Sequence, residues 1–305
     1  MLKHRVLSTI KFFDLQEIPL TLLEIQRFLI VDLEGLKSYQ DEHWELKPDR
    51  VYLDPVTPVS VMELLDCLRN DCQQEVSYIT GYYCLAGRED LCIRRWKHYM
   101  YGVFRERRIQ KFVPYLKHFP FVRGVALGGS QALGQPKKFS DIDLLIIVKP
   151  GFLWLTRMLV SLYFQILGLR RHGKKIANRF CLNHYVAENK VVDRERNLYK
   201  AMEYVRLRPL VYPQGLIEFL SVNEQWIRMF LPQWQKDLGL EPVSVIQLGL
   251  ERVLNNFVGR WLNSFLGFWQ KLKIQQDEFT FVLPDELSFH PRSQHRELLN
   301  KFFRA

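Results

Sequence analysis

Apolar positions recur along the chain with periods that change from segment to segment. Over 4–13, Val6, Leu7, Ile10 and Phe13 lie at helical spacing, and Pro19 closes that segment by restricting the residue before it. The stretch "LTLLEIQRFLI" (20–30) restarts the helix. Thr21 and Glu24 stand three apart, the spacing of a capping box, in which each side chain satisfies a backbone N–H of the other. A third helix is predicted over 58–69, with Pro58 just ahead of its first turn. "VSYITGYYCLAGRED" (76–90) is β-rich and punctuated by Gly81 and Gly87, which predicts a hairpin. Three helices and a hairpin make a winged-helix-like pattern. Its second and third helices are poor in Lys and Arg, where a groove-reading helix needs them, so a DNA-binding role has weak support.

From 91 to 118, basic residues alternate with Trp96, Tyr99, Phe104 and Phe112 at helical intervals. A solvated face is the plain account, and a basic wall beside an anionic substrate the sharper one. "GVALGGS" (124–130) is a short strand that ends at glycines, and "DIDLLIIVKP" (141–150) is a strong one. The unbroken apolar run Leu144–Val148 predicts a strand covered on both faces. Residues 152–169 form an apolar helix that is short for a membrane span and carries Thr156, Arg157 and Gln165, so it reads as buried. A basic turn (170–175) and one or two strands over 177–192 follow. From about 195 to 273 the pattern is helical, broken by Pro209, Pro213, Pro232 and Pro242. Trp226, Trp234, Trp261 and Trp269 in that region read as core, with an interface as the alternative. The last stretch, with "LPDELSFHP", reads as irregular and then briefly helical. The fold class is α+β: a winged-helix-like segment (1–90), a small mixed-sheet core led by the basic helix (91–193), and a C-terminal helical bundle (194–305).

Charge and cysteine usage narrow the setting. A net charge of +10 suits polyanions: nucleic acid, nucleotide phosphates or an anionic surface. Five cysteines, an odd number with no C-x-x-C pair, argue against a disulfide framework and a structural zinc site. Reduced thiols in a cytoplasmic protein fit better. The N-terminus has no secretory pattern, and no membrane partner is expected.

The chemistry concentrates in "LGGSQALGQPKKFSDIDLLIIV" (127–148). Gly128 and Gly129 let the backbone approach a ligand, with N–H groups free to hold phosphate oxygens, and Ser130 adds a hydroxyl. Asp141 and Asp143 leave the same face of a strand, because side chains on a strand repeat every two residues, while Ile142 points into the core. Two carboxylates beside a phosphate-holding loop suit a hard divalent cation, Mg²⁺ or Mn²⁺, shared with substrate phosphates. That combination points to phosphoryl or nucleotidyl transfer. Lys137, Lys138, Arg170, Arg171, Lys174 and Lys175 are candidates to neutralise a triphosphate, each with a plain alternative as a solvated charge.

Gly-Gly-Ser, ten intervening residues, then Asp-x-Asp opening an apolar strand resembles the signature of the DNA polymerase β-type nucleotidyltransferase superfamily. "WLTRMLVSLYFQILGLRR", "RFCLNHYV", "NLYKAMEYVRLRPLV" and "FLSVNEQWIRMFLP" are similar to prokaryotic nucleotidyltransferase-domain proteins. The resemblance implies that Gly129 and Ser130 contact the triphosphate of an NTP, with ATP the first choice, and that Asp141 and Asp143 are catalytic metal ligands. It also implies a third carboxylate on a later strand. "FCLNHYV" offers no acid there, only Asn183 and His184, with Glu188 and Asp193 further on; Asn183 is the candidate for the third position. The acceptor stays open among protein, RNA and small molecules. A catalytically impaired nucleotide sensor, or one half of a toxin–antitoxin pair, is the alternative.

Overall fold

The computed structural model describes residues 2–32, 40, 44–46, 58–173, 175–192, 196–235, 239–274, 280–289 and 292–304. Lys174 and Asp193 lie outside the described residues. Three helices come first: α1 (Leu2–Asp14), α2 (Leu22–Arg27) and α3 (Val61–Asp66). Thr21 and Glu24 form the expected capping box, with Thr21 N donating to Glu24 Oε2 at 2.8 Å and Glu24 N to Thr21 Oγ1 at 3.2 Å. A second box, between Ser60 and Glu63, starts α3. The predicted hairpin is β1 (Val76–Ile79) with β2 (Tyr82–Leu85), turning at Thr80 and Gly81, both at positive φ. The long basic helix α4 spans Asp90–Phe112 and runs into a 3₁₀ turn at Pro114. Its buried Arg95 pairs with Glu24 at 2.5 Å, which fastens α4 to the N-terminal helices.

The centre is a six-stranded sheet. Its strands are β3 (Val122–Leu127), β4 (Ile142–Val148), β5 (Phe180–Ala187), β6 (Arg208–Val211), β7 (Phe281–Val282) and β8 (Glu286–Ser288), in the order β6-β3-β4-β5-β8-β7. Only β4 and β5 are parallel. The crossover between them is the apolar helix α6 (Leu153–Ile166), which is buried against the sheet as expected. A four-residue helical turn, α5 (Gly129–Ala132), follows β3.

Beyond residue 195 the chain is less purely helical than its pattern predicts. Helix α7 (Leu198–Val205) is followed by β6, an edge strand that accommodates Pro209 because an edge leaves one N–H row unpaired. Helices α8 (Pro213–Val222), α9 (Glu224–Phe230), α10 (Val245–Leu254) and α11 (Phe257–Lys273) come next. The segment read as irregular supplies β7 and β8, and α12 (Arg292–Arg304) ends the described chain.

The sheet separates two cores. On one face Ala126, Leu145, Ile147 and Val186 pack with α7, α8 and α9, and the same cluster takes in α1 and Leu299 and Phe302 of α12. On the other face Ile142, Leu144, Ile146 and Val148 meet α6. Apolar side chains of β4 therefore serve both layers, as a strand covered on both faces requires. All five cysteines are buried and unbridged. No described helix is long and apolar enough to cross a membrane.

Candidate active site

The strand order brings the Gly-Gly-Ser turn and the Asp-x-Asp motif side by side, because β3 and β4 are neighbours and the motif opens β4. Gly128 N donates to the Asp143 carbonyl at 3.0 Å, which ties the turn to the motif. Gly129 has φ +60°, and a Cβ built there would lie 2.3 Å from Asp143 Oδ2. Glycine is required twice over, for its left-handed backbone and for the space the carboxylate occupies. The loop between the two motifs is held from α4. Buried Arg105 donates to the carbonyls of Lys137 at 2.8 Å, Lys138 at 3.0 Å and Ser140 at 3.1 Å, and Gln131 Nε2 donates to the Gly102 carbonyl at 3.0 Å. The basic helix thus supplies internal braces as well as an outer face.

Asp141 and Asp143 project from the same face, and Ile142 is fully buried on the other. Parallel register sets Cys181 of β5 opposite Asp143. Ligand atoms of Asp141, Asp143 and Cys181 all lie within 4.8 Å of one another. Asn183 falls at the register shift just beyond, half-buried, with its backbone carbonyl accepting from Phe289 N at 3.1 Å. Of the basic candidates, Arg171 is the one bonded to the motif: its Nη1 lies 2.6 Å from Asp141 Oδ2 and donates to Cys181 Sγ at 3.5 Å. Lys137 is exposed and pairs with Glu17 at 3.1 Å, and Lys138 sits over the Phe139 ring. Glu188 pairs instead with Arg123, 3.8 Å away at the far end of β5.

Burial, and then the neighbouring charge of Asp141, push the Asp143 carboxyl up to about 6. Glu203 on α7 adds to the rise, whereas Cys181 and Arg171 oppose it. Burial and the two aspartates push the Cys181 thiol up as well, so it is a neutral thiol at neutral pH. Among the described residues, no cation of the chain forms an ion pair with Asp143 itself. The two carboxylates make an oxygen donor set that fits a hard divalent metal, with the neutral Cys181 thiol alongside and not itself a ligand for such an ion.

A second polar group lies further along the same sheet face. His184 Nε2 is 3.4 Å from Glu286 Oε1 of β8. Burial alone would raise Glu286, but the hydrogen bond and charge of His184, with Lys200 and Lys190 behind, hold it below the usual range. Lys200 also pairs with Glu203 at 2.9 Å. Sequence reasoning missed Cys181, the Arg171 contact and Glu286. Aligning the two β-rich runs as parallel strands would have found the first, since Asp143 and Cys181 each stand one residue after a strand's opening apolar position.

Residues 109–246 match the family model described as a nucleotidyltransferase domain, a span that contains both glycines, both aspartates and Cys181. No curated protein and no solved structure matches the chain significantly.

Proposed function

We propose, from the match of residues 109–246 to the nucleotidyltransferase domain model, that the chain belongs with the DNA polymerase β-type nucleotidyltransferases and moves NMP from a Mg²⁺-bound NTP to an acceptor nucleophile. Asp141 and Asp143 would hold the metal. Gly128, Gly129 and Ser130 would face the triphosphate, with the backbone N–H groups of Gly129 and Ser130 and the Ser130 hydroxyl serving as donors to phosphate oxygens, while the Gly128 N–H stays on the Asp143 carbonyl. A bound divalent ion supplies neutralisation of the developing charge and alignment of the α-phosphate. The chain's own contribution is position: Gly129 leaves room for the Asp143 carboxylate, and the Arg105 braces fix the loop entering Asp141. Arg171, now on Asp141, is the nearest mobile cation to meet phosphate charge.

The observation that carries this reading is the half-buried Asp143 carboxylate, held against Gly129 beside Asp141 with no ion-pair partner of its own among the described residues. A structural carboxylate in such a place normally acquires a cation from its own chain. The test is a calorimetric titration with MgATP, followed by incubation with α-labelled NTPs and cell extract. Wild type should bind and transfer label, and Asp141→Asn with Asp143→Asn should do neither. Equal labelling by both proteins sinks the assignment.

Cys181 favours a second reading. It stands opposite Asp143 on β5, the strand on which the resemblance calls for a third acid and offers only Asn183, and a buried neutral thiol cannot serve as a base. A nucleotide sensor without turnover would bind MgNTP tightly yet transfer no label with any of the four nucleotides.

A further inference from the structure

Helix α11 seats Leu266 in the core and turns a larger aromatic side outward. The side facing α6 carries Gly259, Asn263, Gly267 and Gln270. Asn263 Oδ1 accepts from Leu155 N at 3.0 Å, and Gln270 Nε2 donates to the Trp154 carbonyl at 3.0 Å. Gly267 packs against the Trp154 ring so closely that a Cβ would lie 2.7 Å from it. Polar contacts and small residues therefore lock the helix in this rotation. The opposite side presents Phe257 (82% exposed), Trp261 (58%), Phe265 (52%), Phe268 (67%) and Leu272 (70%) in one stripe. Helix α10 leads into it with exposed Val245 and Val253. An apolar surface this continuous marks an interaction site.

We propose that this α10–α11 face docks on an anionic lipid surface, lying in the interface without crossing it. Charge selects that occupant. The described part of α11 has no acidic residue and carries Arg260, Lys271 and Lys273. The one acid of α10, Glu251, is turned inward onto Arg123 at 2.8 Å, which leaves Arg252 outside. A second copy would bring these cations against their own kind, with no outward carboxylate on the described residues of either helix to meet them. Anionic headgroups satisfy them while the aromatic stripe enters the acyl boundary, and tryptophan suits that depth. Beside Trp269, a cleft of ≈ 420 Å³ between α6 and α11 adds Arg157, Arg170 and Lys273 as partners for lipid phosphate. The sequence alone predicts no membrane partner, because periodicity shows an apolar side without showing which way it faces.

The test is flotation of the full chain with phosphatidylcholine vesicles, with and without phosphatidylglycerol. Wild type should float only with the anionic vesicles, and its tryptophan emission should shift to the blue. Trp261→Glu with Phe268→Glu, both at exposed positions, should lower the bound fraction by about tenfold or more, with circular dichroism unchanged. Arg260→Glu with Lys271→Glu should remove the preference for anionic lipid. Two results overturn the proposal. One is wild type that stays unbound at every composition. The other is a concentration-dependent dimer in sedimentation velocity that Trp261→Glu dissolves, which would make the face an interface between copies.

Discussion

Asp143, half-buried, and Glu286, buried, are carboxylates on one face of one sheet, separated by a single strand, and the chain treats them in opposite ways. Glu286 is given His184 at 3.4 Å, with Lys190 and Lys200 behind it, and its carboxyl is held below the ordinary range. Asp143 is given a second carboxylate and a thiol, and its carboxyl rises to about 6. Desolvation acts on both; the difference lies in whether the built-in cation pairs with the carboxylate itself or, like Arg171, with its neighbour Asp141. The lesson is that buried charge alone does not mark a functional site. A charge without an ion-pair partner of its own is the better candidate, because on the proposed reading a cation from outside completes it.

The largest break in that contrast is removal of the Asp143 charge. Asp143→Asn should lower NMP transfer on the order of 10³-fold or more, measured with labelled NTP, and Asp141→Asn should do the same. Glu286→Gln should leave transfer within about threefold of wild type, as expected for a group that only supports the fold. Comparable losses in all three would mean that the two carboxylates do not differ in role.

Stability should move the other way. The folded protein holds the Asp143 proton more tightly than the unfolded chain does, since about 6 lies above the ordinary 3.8. Asp143 therefore costs stability as pH rises from about 4 to 6, by at most about 3 kcal/mol in the metal-free protein. Asp143→Asn removes that cost and should raise Tm at neutral pH while abolishing activity. Saturating Mg²⁺ should stabilise wild type, by about 2.7 kcal/mol at a hundredfold excess over Kd, and leave the variant unmoved. A variant that melts lower than wild type at neutral pH, and equally with it in acid, would contradict this account.

Glu286 has the reverse sign. Its carboxyl is depressed, so its contribution is present above the ordinary carboxylate range and lost as pH falls. Glu286→Gln should lower stability at neutral pH by about 1–3 kcal/mol, because His184 and Lys200 lose a buried partner. In acid the two proteins should converge. Denaturant midpoints at the two pH values measure this directly.

How far this contrast can be read in the sequence depends on the range of the interactions that make it. Asp141, Asp143 and Gly129 are legible because alternation on a strand and glycine before a turn are local properties. Cys181 is not, since its place opposite Asp143 follows from a parallel register with a shift just beyond it. Glu286 lies on a three-residue strand, too short to show a period, and reaches His184 only through sheet order. The same limit applies to the tryptophans. Trp226 and Trp234 are buried as core, whereas Trp261 and Trp269 stand outside, although all four sit in similarly apolar segments.

The smallest effect expected is at Arg171, which sharpens the comparison by taking away the cation that, among the described residues, is bonded to the site. Its guanidinium holds Asp141 at 2.6 Å and is itself partly exposed, so the pair is worth about 0.2–1 kcal/mol to folding. It also occupies the carboxylate that, on the proposed reading, holds the metal. Arg171→Ala should therefore cost little stability. At about pH 8, where Asp143 is ionised, the same change should tighten Mg²⁺ binding without nucleotide by roughly two- to fivefold. Arg171→Lys, which keeps a positive charge but loses the planar fork, should fall between the two. With nucleotide present the order should invert, because the side chain freed from Asp141 then has phosphate to meet. Calorimetric titration of each protein with metal alone, then with MgATP, separates the two roles. Weaker metal binding by Arg171→Ala in the absence of nucleotide would show that the arginine supports the aspartates and does not compete for them.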